Sequence, residues 1–208
     1  AIGARNTFNT WNGSVVVFQA KSRAFATYDV SALMQENTSA PITVLASFGS
    51  VVSLSPNGNL LVLGLPQQSN VFARAGMLVV YRRAAPNSVQ FSKEAEIIAI
   101  PNQRELKLGS SVVANDNDMF VAGAMGAQAM YTFTRSVDGV WAQQGPAIFA
   151  DSDHFTPGEF GASVAVNAAG TVAVIGDRFD SSDASDTYGA VWFTSRVSRG
   201  VAWSSLQR

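Results

Sequence analysis

The loop "DRFDSSDASDTYG" carries four carboxylates, at Asp177, Asp180, Asp183 and Asp186. A curled loop dense in oxygen donors is the chemistry that a hard cation such as Ca²⁺ requires. Their spacing by three matches no calcium loop of known pattern, and a loop rich in Ser and Asp is equally a solvated one, so metal binding stands beside that plain reading. Asp151, Asp153 and His154 form a second polar knot, but His154 is the single histidine of the chain, which leaves it without a partner for a metal set or a proton relay. No Gly-x-Ser-x-Gly elbow, cysteine nucleophile, Gly-Lys-Ser/Thr phosphate loop or His-Glu-x-x-His pair occurs. The carboxylates Glu94, Glu96, Glu105 and Glu159 fall near strand edges or loops with no visible facing pair of the kind glycoside hydrolysis uses. The sequence therefore predicts no catalytic residue, no required cofactor and a chain that is not an enzyme.

What positions these loops is a repeat. The segments "FGSVVSLSPNGNLLVLGLP" from Phe48, "LGSSVVANDNDMFVAGAMG" from Leu108 and "FGASVAVNAAGTVAVIGDRFD" from Phe160 share one layout: a bulky apolar residue and a glycine, a short β-branched strand, a polar turn, and a second strand closing on glycine. The motif residues are Phe48, Gly49 and Gly64, then Leu108, Gly109 and Gly123, then Phe160, Gly161 and Gly176, with Gly3 closing an earlier second strand. Asn57-Gly58 in the first turn is a strong hairpin signal and calls for positive φ at both residues. A third strand follows each loop ("GSVVVF", "GMLVVY", "AMYTF", "GAVWF"), and a fourth, more polar segment carries a ring ("FATYDV", "VQFSKEAEI", "VWAQQ", "VAWSS"). No helical period competes, and four-stranded antiparallel units in series hide both apolar faces by packing face to face around an axis, as in a β-propeller.

Composition agrees and narrows the partners. Hydrophobic residues make up 47% and charged residues 14%, with a formal net charge of -1. That is ample for a core and offers no electrostatic footprint for nucleic acid or an anionic membrane. The longest apolar runs are strand-sized, so no membrane span is expected in this segment. With no cysteine there is neither disulfide nor thiolate site. Asn12 and Asn37 open glycosylation triplets in polar stretches, which leans toward a secreted setting.

The stretch from Trp141 to Phe193 resembles the FG-GAP repeats of integrin alpha propellers and of many extracellular microbial proteins: Trp-x-Gln-Gln, an acidic loop, Phe-Gly-x-Ser-Val-Ala, Val-x-Gly, an Asp-rich loop and Gly-Ala-Val-aromatic-Phe. The resemblance covers nearly the whole chain and implies an all-β propeller of four-stranded antiparallel blades. It implies about three and three-quarter blades of a seven-bladed ring: 1–46 without its first strand, then 47–107, 108–159 and 160–208. The family's Ca²⁺ loop between first and second strands is not matched, because those positions are tight turns here. Phe48, Leu108 and Phe160 would be wedges between blades; Gly49, Gly109 and Gly161 would turn the backbone where a side chain collides with the next blade; Gly3, Gly64, Gly123 and Gly176 would end their strands in a conformation alanine resists. Half a ring leaves apolar faces bare, so the residues read as a piece of a longer polypeptide; a compact four-bladed ring or one completed by another chain is the alternative.

The function this implies is an extracellular or cell-surface module for adhesion, protein interaction or assembly, meeting a protein or glycan partner through its loops, with Phe8, Trp11, Phe72 and Tyr188 as ring anchors. Of these, Tyr188 is expected to pack on its own blade more readily than Trp11. The alternative is a lectin with sugars stacked on aromatics between adjacent blades.

Overall fold

Short runs of valine, leucine, isoleucine and aromatic residues, cut every few positions by Gly, Asn and Asp, fold as strands, and the described residues contain no helix. The computed structural model describes residues 2–4, 13–20, 28–35, 48–69, 72–85, 88, 90–98, 104–150, 158–180 and 188–208. Among them are four antiparallel sheets. The first orders β1 (Ile2–Ala4), β2 (Ser14–Ala20) and β3 (Tyr28–Gln35). The second runs β4 (Val51–Leu54), β5 (Leu60–Leu65), β6 (Met77–Arg83) and β7 (Phe91–Ile97). In the third, β8 (Leu108–Asn115), β9 (Met119–Ala124), β10 (Ala129–Arg135) and β11 (Trp141–Gln143) stand side by side, and β12 (Ile148–Phe149) also pairs with β10. The fourth holds β13 (Ser163–Val166), β14 (Val172–Asp177) and β15 (Ala190–Ser195), beside which the backbone around Gln207 pairs with Phe193. No helix of the described residues is long and apolar enough to cross a membrane.

The sheets stack in chain order, with a core between each pair. Val15 and Val17 meet Phe48, Leu61, Leu63 and Leu65 between the first and second. Leu60, Val62, Leu78 and Val80 meet Leu108, Phe120 and Tyr131 between the second and third. Met119, Val121 and Met130 meet Phe160, Ile175 and Trp192 between the third and fourth. Phe48, Leu108 and Phe160, all fully buried, thus each lie in a seam between two sheets. Because strand side chains alternate in direction, β5 sends Leu61, Leu63 and Leu65 to one seam and Leu60 and Val62 to the other, and every residue of the strand is buried.

Two local expectations are corrected by the geometry. Of Asn57 and Gly58 only the glycine has positive φ (72°). The turn is a longer one, closed by Ser55 and Leu60 and steadied by Asn57 Oδ1, which accepts the Asn59 N–H at 2.9 Å; Asp118 (52°) and Gly170 (69°) hold the matching place in the next two turns. The second-strand glycines Gly64, Gly123 and Gly176 are not at positive φ at all; they lie within their strands, and what excludes a side chain at Gly64 and Gly123 is the backbone of the next sheet. A Cβ on Gly64 would stand 2.2 Å from the Gly109 carbonyl oxygen, and one on Gly123 would stand 1.9 Å from that of Gly161. Of the glycines in the repeat motif, those that do need the left-handed region are Gly49, Gly109 and Gly161, with φ of 81°, 88° and 89°.

Burial raises the phenols of Tyr81 and Tyr131 above the ordinary value of 10.0, and for Tyr81 the charge of Glu96 adds to it. The folded chain holds these protons more tightly than the unfolded one, so the stabilisation is complete below that ordinary value and is lost as pH rises through the folded values. An alkaline titration of phenolate absorbance is expected to show two tyrosines ionising late, with the melting temperature falling over the same pH range. Early ionisation of Tyr81 and Tyr131 while the fold persists would contradict their burial.

Candidate functional site

Each loop joining a second strand to a third emerges at the same end of its sheet, since the strands that flank it are equivalent in all units. After β5, this loop carries Phe72, 42% exposed; after β14, it carries Tyr188, 81% exposed. Residues 125–128, after β9, form only a tight turn. Tyr188 thus presents most of its surface to solvent. Phe8 and Trp11, in the corresponding loop after β1, lie outside the described residues, as do Asn12, Asn37, Asp151, Asp153 and His154.

The acidic loop is structured by its carboxylates. Asp177, buried at the end of β14, accepts the backbone N–H of Glu159 at 2.7 Å and of Phe179 at 3.2 Å through Oδ1. Its other oxygen occupies the space beside Gly158 where a Cβ would stand at 2.3 Å. Asp180 is fully buried and faces Arg208 at 3.2 Å, while its carbonyl accepts the Gly189 N–H. Arg178 pairs with Glu159 and covers the Phe179 ring at 4.8 Å. Asp183 and Asp186 lie outside the described residues, among which no group of three potential metal ligands comes together. Asp177 and Asp180 thus already serve backbone amides and an arginine.

At the opposite end of the strands lies a feature the sequence reading missed. Glu94 on β7, for which the sequence showed no facing carboxylate, receives Arg82 at 3.0 Å, Arg135 of the third sheet at 2.8 Å and the Trp141 indole N–H at 2.8 Å. Asp118 closes the set by binding Arg82 at 2.6 Å. A partial signal was present: "YRR", "FTR" and "TSR" put Arg83, Arg135 and Arg196 at the same place at the end of the third strand in the last three units, although in the second sheet it is the neighbouring Arg82 that binds Glu94. Each lies by the ring of its own fourth segment: Arg83 is 5.3 Å from the Phe91 centroid, Arg135 is the register partner of Trp141, and Arg196 is 4.2 Å from the Trp203 centroid. Buried Arg196 has its basicity lowered by burial and then by the charge of Arg199, and it donates to the Gly170 carbonyl and to Gln144. Beside Trp203 a cleft of about 120 Å³ opens between the outer edges of the third and fourth sheets, lined by Gln144, Pro146, Ile148, Val201 and Trp203. Trp203 is fixed there by its N–H to Thr132 Oγ1 at 2.9 Å.

No protein-family model and no curated protein matches the chain. Its backbone is similar to that of a candidate 6-phosphogluconolactonase from Bacteroides uniformis, at 13% identity and a TM-score of 0.56, over 97% of this chain and 55% of that one. The fold is propeller-like. A functionally unknown protein from Desulfotomaculum acetoxidans is also similar, at 11% identity and a TM-score of 0.45, over 93% of this chain and 62% of that one. The chain thus spans little more than half the length of these structures. The expectation that it is not an enzyme is overturned by the first likeness, since the same architecture serves a protein named for an enzymatic activity. At such identity the likeness concerns the fold alone.

Proposed function

We propose that the chain is part of an FG-GAP-type propeller of seven blades, displayed outside the cell, whose loops between second and third strands engage a protein or glycan partner in adhesion or assembly. The observation that carries this reading is the exposure of Tyr188 and Phe72 in equivalent loops of two units, at 81% and 42%. Large rings held out on a rigid scaffold are the groups that anchor partners most strongly, because each buries much area at small entropic cost. A second reading, a lectin, is favoured by the cleft at Trp203, which lies between neighbouring sheets and offers an aromatic ring to a sugar.

A panel of purified extracellular glycoproteins and a glycan array, both probed with the wild-type chain, test the two readings together. Tyr188→Ala is expected to weaken a protein partner by about 30-fold, the effect of losing roughly 2 kcal/mol at an anchor, with no change in melting temperature. Trp203→Ala would instead remove binding to one class of sugar. Silence on both surfaces, or binding indifferent to Tyr188, Phe72 and Trp203, would end the proposal.

A further inference from the structure

Two of the three seams, those on either side of the third sheet, are built to one pattern. Gly64 faces Leu78 across the strand pair, Gly123 faces Met130 and Gly176 faces Val191. Two residues earlier on the second strand, Val62 faces Val80, Val121 faces Thr132 and Val174 faces Phe193. In the first two units these positions are sealed: Leu78, Val80, Met130 and Thr132 are at most 3% exposed. The seal comes from the next unit, whose glycine carbonyl (Gly109, then Gly161) sits against the second-strand glycine while its Leu108 or Phe160 enters the core. At the second seam Ser111 Oγ donates to the Gly161 carbonyl at 2.8 Å.

The third copy of that surface is open. Val191 is 52% exposed and Phe193 47%. Among the described residues, the three atoms nearest an added Cβ on Gly176 all belong to Ser163, the counterpart of Ser111, and none to the backbone of another sheet. We infer that the outer face of the fourth sheet is a docking surface for one more sheet of this design, whose first strand opens on a bulky apolar residue and a glycine, the glycine carbonyl accepting from Ser163. A second copy of this chain fits the surface less well, because its apolar-glycine corners at Phe48, Leu108 and Phe160 are already fully buried in its own seams. The inference deepens the ring reading above and rests on it for the source of such a sheet; the assay below reports on the face whatever the loops bind.

The chain has no cysteine, so Phe193→Cys supplies a lone thiol in the middle of the face and Val137→Cys, in a turn at 101% exposure, a control. The probe is the full chain extended after Arg208 by a copy of its own residues 144–208. In the unextended chain both thiols are expected to be alkylated at similar rates. In the extended chain Phe193→Cys should slow by about ten-fold or more while Val137→Cys does not, and changing the Phe-Gly of the appended copy to Asp-Ala should restore the rate. Val191→Cys repeats the measurement should Phe193→Cys fold poorly. Equal rates in both chains, whether or not the appended copy folds, overturn the inference. So does protection of the unextended chain that tracks dimer formation in sedimentation, which would give the face to a second copy.

Discussion

Gly123→Ala is expected to lower the melting temperature by roughly 6–12 °C, corresponding to about 3 kcal/mol for overpacking in a domain of this size. The added methyl would stand 1.9 Å from the Gly161 carbonyl oxygen and 2.5 Å from Ser111 Oγ, and the oxygen belongs to backbone that cannot swing aside. Relief requires the third and fourth sheets to part, which loosens the seam around Phe160 and breaks the Ser111 hydrogen bond. The same substitution at Gly176 is expected to change stability by less than about 1 kcal/mol, because its nearest obstacle is the Ser163 hydroxyl, a side chain free to rotate. Gly200→Ala, with nothing within 4 Å of the added carbon, serves as the neutral reference. Thermal melts of the three variants decide the matter: equal losses at Gly123 and Gly176 would mean that local conformation, and not the neighbouring sheet, makes glycine necessary.

Glu94→Ala should cost about 2–4 kcal/mol. Glu94, with its side chain only 17% exposed, joins β6 and β7 of the second sheet to β10 and β11 of the third through Arg82, Arg135 and Trp141. Removing it leaves two guanidinium groups near each other and the Trp141 N–H without its acceptor, while Asp118 still holds Arg82. Glu94→Gln keeps an acceptor for the indole and loses only the charge, so it should fall between the wild type and the alanine variant. Urea unfolding followed by tryptophan fluorescence reads both stability and the surroundings of Trp141. A loss for Glu94→Ala below about 0.5 kcal/mol would place the cluster with exposed surface pairs, which contribute little.

Much of the architecture was readable because it is local. A two-residue period, β-branched runs and glycines at recurring offsets fix strands and hairpins within some twenty positions, and the pattern recurs along the chain. The pairing of Glu94 with Trp141 spans 47 residues and that of Arg82 with Asp118 spans 36, so no local pattern announced it. Arg135 of that system is one of three arginines repeated at the ends of third strands, but a lone arginine at a strand end also reads as an ordinary solvated charge.

Asp177 and Asp180 show the same limit from the other side. The clustering of carboxylates in their loop suggested a cation, beside a plain solvated reading, whereas the fold turns the first toward the amides of Glu159 and Phe179 and the second toward Arg208. Sequence lists the donors near a carboxylate along the chain but not those delivered by a neighbouring strand or a distant arginine.

By itself the sequence determined that the chain is all β, that its units repeat, and that an apolar-glycine corner opens each complete one. Those properties follow from backbone sterics and side-chain alternation, which act over a few residues. Only the tertiary structure decided which faces are covered. "LLVLGL" and "VAVIGD" read as equivalent strands, yet β5 is buried on both sides and β14 on one, because a strand's second face is closed by whichever sheet comes next and not by anything written in the strand.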